Sequence, residues 1–257
     1  MAGMQREVVS QQPVQTPQTL QITEAMLGNG PIDAALMALI SDPQLAAARA
    51  EAEATLREND WANLGRYQTD NATLVATGRQ PDLVFIGDSI TEMWLASDPD
   101  FFGPDRITRG ISGQTSSQIL LRLQPDALAL TPRAVHILCG TNDIAGNTGP
   151  TTPYRYQCNV RAMTALARAQ GVRIYLGAIL PAKRFTWRPE VNPVTWVQEL
   201  NRWLRERANE CGVTFVDYHS ALVDENGGLN SEFTRDGVHP NRRGYAAMRQ
   251  VLEPLLS

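Results

Sequence analysis

From residue 82 onward, short apolar runs recur along the chain: Leu83–Ile86, Arg106–Thr108, Val135–Cys139, Ile174–Ile179 and Val213–Asp217. Longer stretches with helical spacing separate them, most clearly Tyr154–Ala169 and Val194–Asn209. In the second stretch, Val194, Val197, Leu200, Trp203 and Leu204 follow steps of three and four and make one apolar face. Arg242–Leu256 reads as a closing helix. Strands alternating with helices predict a parallel sheet with helices packed on it. Right-handed crossovers leave few topologies, and five strands suit a flavodoxin-like order.

Upstream the pattern differs. Residues 1–22 are rich in Gln, Pro, Val and Thr, show no clean period and read as a flexible arm. Residues 23–80 read as a helical extension to a main domain at 81–257. Residues 32–58 are rich in Ala and Glu, and their helix breaks near Pro43, where Asp42 can cap a second piece. The segment Asp60–Leu74 is expected to be helical at its start. The extension is also a candidate contact between subunits of a homo-oligomer.

Composition narrows the chemistry. The formal net charge of -4 over 257 residues argues against a nucleic-acid binder. No apolar run approaches the ~20 residues of a transmembrane helix. The start lacks the basic and apolar regions of a signal peptide. The expected compartment is therefore cytoplasmic as the chain is numbered, or secreted or periplasmic if a signal has been removed. The chain has three His, three Cys and a single lysine, Lys183. No CxxC or HExxH spacing marks a zinc site, and Cys139, inside an apolar run, reads as a small buried hydrophobe.

In an open parallel sheet, ligands bind beyond the carboxyl ends of the strands. The segments in those places are Gly87-Asp88-Ser89, Gly110-Ile111-Ser112-Gly113, Gly140-Thr141-Asn142-Asp143, the loop from Pro181 to Pro189, and Asp236-Gly237-Val238-His239. Together they can make an acyl-transfer site. Ser89 needs a base to become a nucleophile. His239 can take its proton, and Asp236 can fix the imidazole tautomer. The N–H groups of Ser89 and Gly113 and the side-chain amide of Asn142 can receive the oxyanion. Taken singly, Ser89 also fits a plain helix cap. His219 is a rival base without a comparable acidic partner, and His136, inside a strand, reads as structural. Asp88 and Asp143 are expected to hold their turns. In the fourth loop, Trp187 is a candidate for stacking on a sugar or aryl ring, and Arg184 and Arg188 for binding a polar group.

The blocks FIGDSIT, RGISGQT, CGTND and DGVHP, in that order, resemble those of the SGNH hydrolase superfamily, the GDSL esterases and lipases. The resemblance covers about residues 82–257. It implies a three-layer α/β/α fold with Ser89, Asp236 and His239 as catalytic residues and Ser89, Gly113 and Asn142 as the oxyanion hole. It also implies hydrolysis of a small-molecule ester without metal or organic cofactor. One departure is Thr108, which stands where relatives resembling platelet-activating-factor acetylhydrolase usually carry Asn. The stretch GTNDIAGNTGPTT, the WRPEVNP loop and the DWANL segment are similar to a bacterial subgroup associated with acetylated carbohydrates and simple acyl esters. The expectation is a serine esterase for short, acetyl esters. A lysophospholipase or acyl-thioesterase on the same site is the nearer alternative, and a non-catalytic carbohydrate-binding protein the more distant one.

Overall fold

A computed structural model describes residues 17–30 and 32–256. Most of the expected arm, residues 1–16, lies outside them, but residues 17–22 are not arm-like: they begin helix α1 (Pro17–Met26). Helix α2 (Ala34–Ile40) is followed by α3 (Pro43–Asn59), which starts where expected, with the Asp42 carboxylate accepting from the N–H groups of Gln44 and Leu45. The Asp60–Leu74 expectation is corrected. The Asp60 carboxylate accepts from the N–H groups of Leu64 and Gly65, and Asn63 adopts a left-handed φ of 53°. That tight turn displaces the helix to the other end of the segment, as α4 (Gln68–Ala76).

The main domain runs β1 (Leu83–Gly87), α5 (Ser89–Ser97), β2 (Arg106–Gly110), α6 (Ser116–Asp126), β3 (Ala134–Leu138), α7 (Thr141–Ala145), α8 (Pro153–Ala169), β4 (Arg173–Gly177), α9 (Pro193–Cys211), β5 (Thr214–Val216), α10 (Tyr218–Leu222) and α11 (Arg242–Leu252). All strand pairs are parallel, in the order β2-β1-β3-β4-β5. This is the expected flavodoxin-like order. The closing helix stops short of its expected end, and a 3₁₀ turn, Glu253–Leu255, finishes it at Pro254.

Side chains alternate across the sheet and divide the core in two. Val84, Ile86, Val135, Ile137, Ile174 and Leu176 face α6, α8 and α9. Leu83, Phe85, Leu138, Tyr175 and Val216 face α5, α10 and α11. Leu27, just past α1, is fully buried in that second layer, so the extension is part of the core. Strands covered on both faces read as unbroken apolar runs, which is why they stand out in the sequence.

Candidate active site

The strand ends set out the site. After β1, Gly87 is required by close approach: a Cβ there would lie 2.2 Å from Thr91 Oγ1 and 2.5 Å from the Leu138 carbonyl. The chain then turns straight into α5. Asp88, not Ser89, caps this helix, its carboxylate accepting from the Ile90 N–H at 3.0 Å. Ser89 is thereby left at the first helical position with its hydroxyl free for another partner.

That partner is His239. Ser89 Oγ lies 3.0 Å from His239 Nε2, and His239 Nδ1 lies 2.7 Å from Asp236 Oδ2. The other carboxylate oxygen, Asp236 Oδ1, accepts from the N–H groups of Val238 and His239 at 2.9 and 2.8 Å. The loop is closed by Thr234, whose hydroxyl donates to the His239 carbonyl and accepts from the Gly237 N–H. Helix α11 carries the loop to the serine: Asn241 caps it, and the Tyr245 hydroxyl donates to the Ile90 carbonyl on α5.

Electrostatics fixes the proton positions. Burial opposes ionisation of Asp236, but His239 and the N–H groups of His239 and Val238 outweigh it and hold the carboxyl at about 2. For His239, burial alone favours the neutral ring; attraction to Asp236, its hydrogen bond and the field of Asp88 overcome this and raise the pKa above 6.5. With Asp236 ionised, Nδ1 carries the hydrogen and Nε2 turns its lone pair to Ser89. The arrangement can move a proton off the hydroxyl.

The segments that carry the oxyanion candidates adjoin one another. Gly113 sits in a loop after β2 with φ of 79°, a left-handed conformation natural to glycine. Asn142, at the start of α7, is buried and donates from Nδ2 to the Gln114 carbonyl at 3.0 Å and to Asp88 Oδ2 at 3.2 Å. Both amide hydrogens are therefore engaged, the contact to Asp88 being the longer. Burial pushes the Asp88 carboxyl up to about 7 against the Ile90 N–H and His239, so this neighbour sheds its charge easily. Asp143 holds the Asn142 turn as expected: its carboxylate accepts from the Ser116 N–H and hydroxyl at 2.8 and 2.5 Å.

A family model, the GDSL-like lipase/acylhydrolase family, matches residues 85–247. The chain belongs to this family. Among solved structures, it is 40% identical to an acylhydrolase-type protein from Bacteroides fragilis, over 77% of this chain and 97% of that one, with a TM-score of 0.73. A GDSL-like lipase from Bacteroides thetaiotaomicron is also 40% identical, over 76% and 97%, with a TM-score of 0.71. A variant of an acetyl-xylooligosaccharide esterase from Geobacillus is 20% identical over 68% and 93%, with a TM-score of 0.54, a likeness of fold alone. No curated protein matches the sequence. Family and neighbours make this GDSL acylhydrolase a carboxylic ester hydrolase of the SGNH type.

The other histidines of the acylhydrolase lie elsewhere. His136 is fully buried, lies 2.8 Å from the Tyr218 hydroxyl through Nε2, and is pushed by burial down to about 3, so it stays neutral in the core. His219, half-buried on α10, is not the ring that meets Ser89. Cys139 is buried and its thiol pKa raised by burial. Among the described residues, no group of three or more His, Cys, Asp or Glu side chains gathers to hold a metal ion.

In the fourth loop, Trp187 is 41% exposed, tilts against buried Phe185 and donates from Nε1 to Asn147 Oδ1 at 3.1 Å. Arg188 reaches the Gly146 carbonyl at 3.4 Å and pairs with Glu190, and Arg184 is exposed beside them. Reasoning from sequence missed Asn147. Its one visible signal is its place directly after Gly146, the left-handed residue that ends α7.

It also missed how the extension supports the loop that carries Gly113. The Tyr67 hydroxyl donates to the Gly110 carbonyl at 2.5 Å, Gln114 Nε2 to the Ala62 carbonyl at 2.8 Å, and Gln118 Nε2 to the Trp61 carbonyl at 2.7 Å. Arg109 donates from Nε to Asn71 Oδ1 at 2.8 Å and lies over the Tyr67 ring. Thr108, the departure in this block, donates its hydroxyl to the Thr91 carbonyl at 3.1 Å and so ties β2 to α5.

Proposed function

We propose that the protein is a serine esterase that cleaves short-chain, chiefly acetyl, esters of carbohydrates or aryl alcohols through an acyl-enzyme. The observation that carries this reading is the unbroken Ser89–His239–Asp236 line of hydrogen bonds at the carboxyl end of the sheet. His239 Nε2 takes the Ser89 proton as Oγ attacks the ester carbonyl. The oxyanion is received by the N–H groups of Ser89 and Gly113 and by the Asn142 amide. His239 then gives its proton to the departing alcohol, and water repeats the steps to free the acid. The polar and aromatic rim formed by Asn147, Trp187 and Arg188 favours a sugar or aryl alcohol over a lipid tail.

A fluorophosphonate probe tests the mechanism directly. It is expected to form one adduct, on Ser89, located by peptide mass spectrometry; labelling at another residue, or none, overturns the reading. A series of p-nitrophenyl esters tests the acyl group. Rates are expected to be highest for acetyl and to fall with chain length, whereas rates rising toward palmitoyl favour a lysophospholipid substrate. A panel of acetylated sugars, aryl acetates and phospholipids then separates the alcohols.

The pH dependence follows from the sign of the His239 shift. A base with a raised pKa is protonated, and inactive, until the pH passes that raised value. The acid limb of kcat/KM is therefore expected above pH 6.5. In Asp236→Asn the main cause of the elevation is gone and burial remains, so the limb is expected to move to lower pH. A limb that stays in place in this variant would show that another group controls it.

A further inference from the structure

A side-chain amide presents nearly the same shape either way round, so its neighbours decide which end carries the donors. At Asn142 they agree. The Gln114 carbonyl can only accept and so takes the NH₂ end, as does the Asp88 carboxylate when ionised. On the opposite side, Asn147 Nδ2 donates to Asn142 Oδ1 at 2.7 Å, the shortest of these contacts. Asn147 is oriented in its turn by Trp187. An indole N–H only donates, so at 3.1 Å it requires Asn147 Oδ1 on its side and places the NH₂ toward Asn142. The Asn147 backbone N–H donates to the Asn142 carbonyl at 3.1 Å, and Nδ2 also reaches the Gly113 carbonyl at 3.4 Å. One side chain thus touches the loops that carry Gly113 and Asn142 and the loop that carries Trp187.

We propose that Asn147 is a positioning residue that aims the Asn142 amide into the oxyanion hole, with the Trp187 N–H setting the direction of the relay. The chain of donors runs from Trp187 through Asn147 to Asn142, and each bond polarises the next toward the site. This inference rests on reading Asn142 as an oxyanion donor. It gives Trp187 a second task besides contact with the alcohol.

Asn147→Asp is the informative variant. Its carboxylate still accepts from Trp187 but presents oxygen, not NH₂, to Asn142 Oδ1. With p-nitrophenyl acetate, kcat is expected to fall about 10- to 100-fold, less than the 10²- to 10³-fold of losing an oxyanion donor outright. The loss should fall on kcat more than on KM, because a donor aimed at the oxyanion acts chiefly in the transition state. Asn147→Ala and Trp187→Phe should lower kcat in the same direction. The decisive comparison is the Asn142→Ala background, in which Asn147→Asp is expected to have no further effect on kcat. Equal losses in both backgrounds, or kcat within about twofold of the parent in both Asn147 variants, would overturn the proposal. If Asn147→Asp does not fold, Asn147→Ala and Trp187→Phe carry the same comparison. Fluorophosphonate labelling of Ser89 in the parent protein keeps this outcome separate from a failure of the esterase mechanism.

Discussion

Ser89→Ala is expected to lower kcat/KM for p-nitrophenyl acetate by about 10⁴-fold or more while leaving thermal unfolding unchanged. The two halves of this expectation rest on different observations. Activity falls because Ser89 Oγ is aligned with the lone pair of a base whose proton position is fixed by an ionised carboxylate. What remains should be the contribution of the oxyanion hole and of binding, which in other serine hydrolases is about 10³–10⁴ over the reaction in water. Stability holds because the helix cap belongs to Asp88, and among the described residues the Ser89 hydroxyl bonds to His239. A variant retaining more than a few per cent of activity, with contamination excluded by active-site titration, would remove Ser89 from the mechanism.

The second large effect is on stability. Arg122 on α6 and Asp126 one turn later form an ion pair at 2.7 Å, with both side chains fully buried. Arg122 also donates to Gln114 Oε1 at 2.6 Å and reaches the carbonyls of Arg109 and Gly87 at 3.1 and 3.3 Å. It thus binds together the ends of β1 and β2 beneath the site. Arg122→Ala leaves a buried carboxylate and two strand-end carbonyls without this partner. Removing one member of such a pair costs about 3–5 kcal/mol, a large part of the 5–15 kcal/mol typical of a whole domain. Urea denaturation is expected to show that loss. Arg122→Met combined with Asp126→Leu should cost less than the sum of the two single changes, since it removes both charges together. A change below about 1 kcal/mol in Arg122→Ala would mean that water reaches the pair in solution.

The sheet was legible because of its two-sided burial. Runs such as Leu83–Ile86 have no polar face, and the loops after them carry the rare residue types that acyl chemistry needs. The strand ends were less legible. Gly87, Gly110 and Gly177 complete β1, β2 and β4, yet glycine punctuates a sequence as readily as it extends a strand. The turn at Asp60 was hidden for a related reason: a carboxylate that accepts from the N–H groups four and five residues on looks, in one dimension, like an ordinary helix start. Ser89, Asp236 and His239 could be proposed from spacing and order. Asn147 could not, since its role depends on Trp187, 40 residues away in sequence, and on which end of an amide faces which neighbour. The buried partners of Arg109 and Gln114 were likewise beyond reach, because they come from the extension.

That last connection bears on where the working unit begins. The match to the family model starts inside β1, at 85. A chain cut there would take away the Tyr67 hydroxyl from the Gly110 carbonyl, the Asn71 amide from Arg109 and Asp126, and the Ala62 carbonyl from Gln114. It would leave a buried guanidinium and a buried amide facing solvent at the back of the loop that carries Gly113. The piece that can be moved intact into another protein, as a fusion partner or an immobilised catalyst, therefore reaches back at least to Trp61. In this chain the border of the family match runs through the support of the site, not around it.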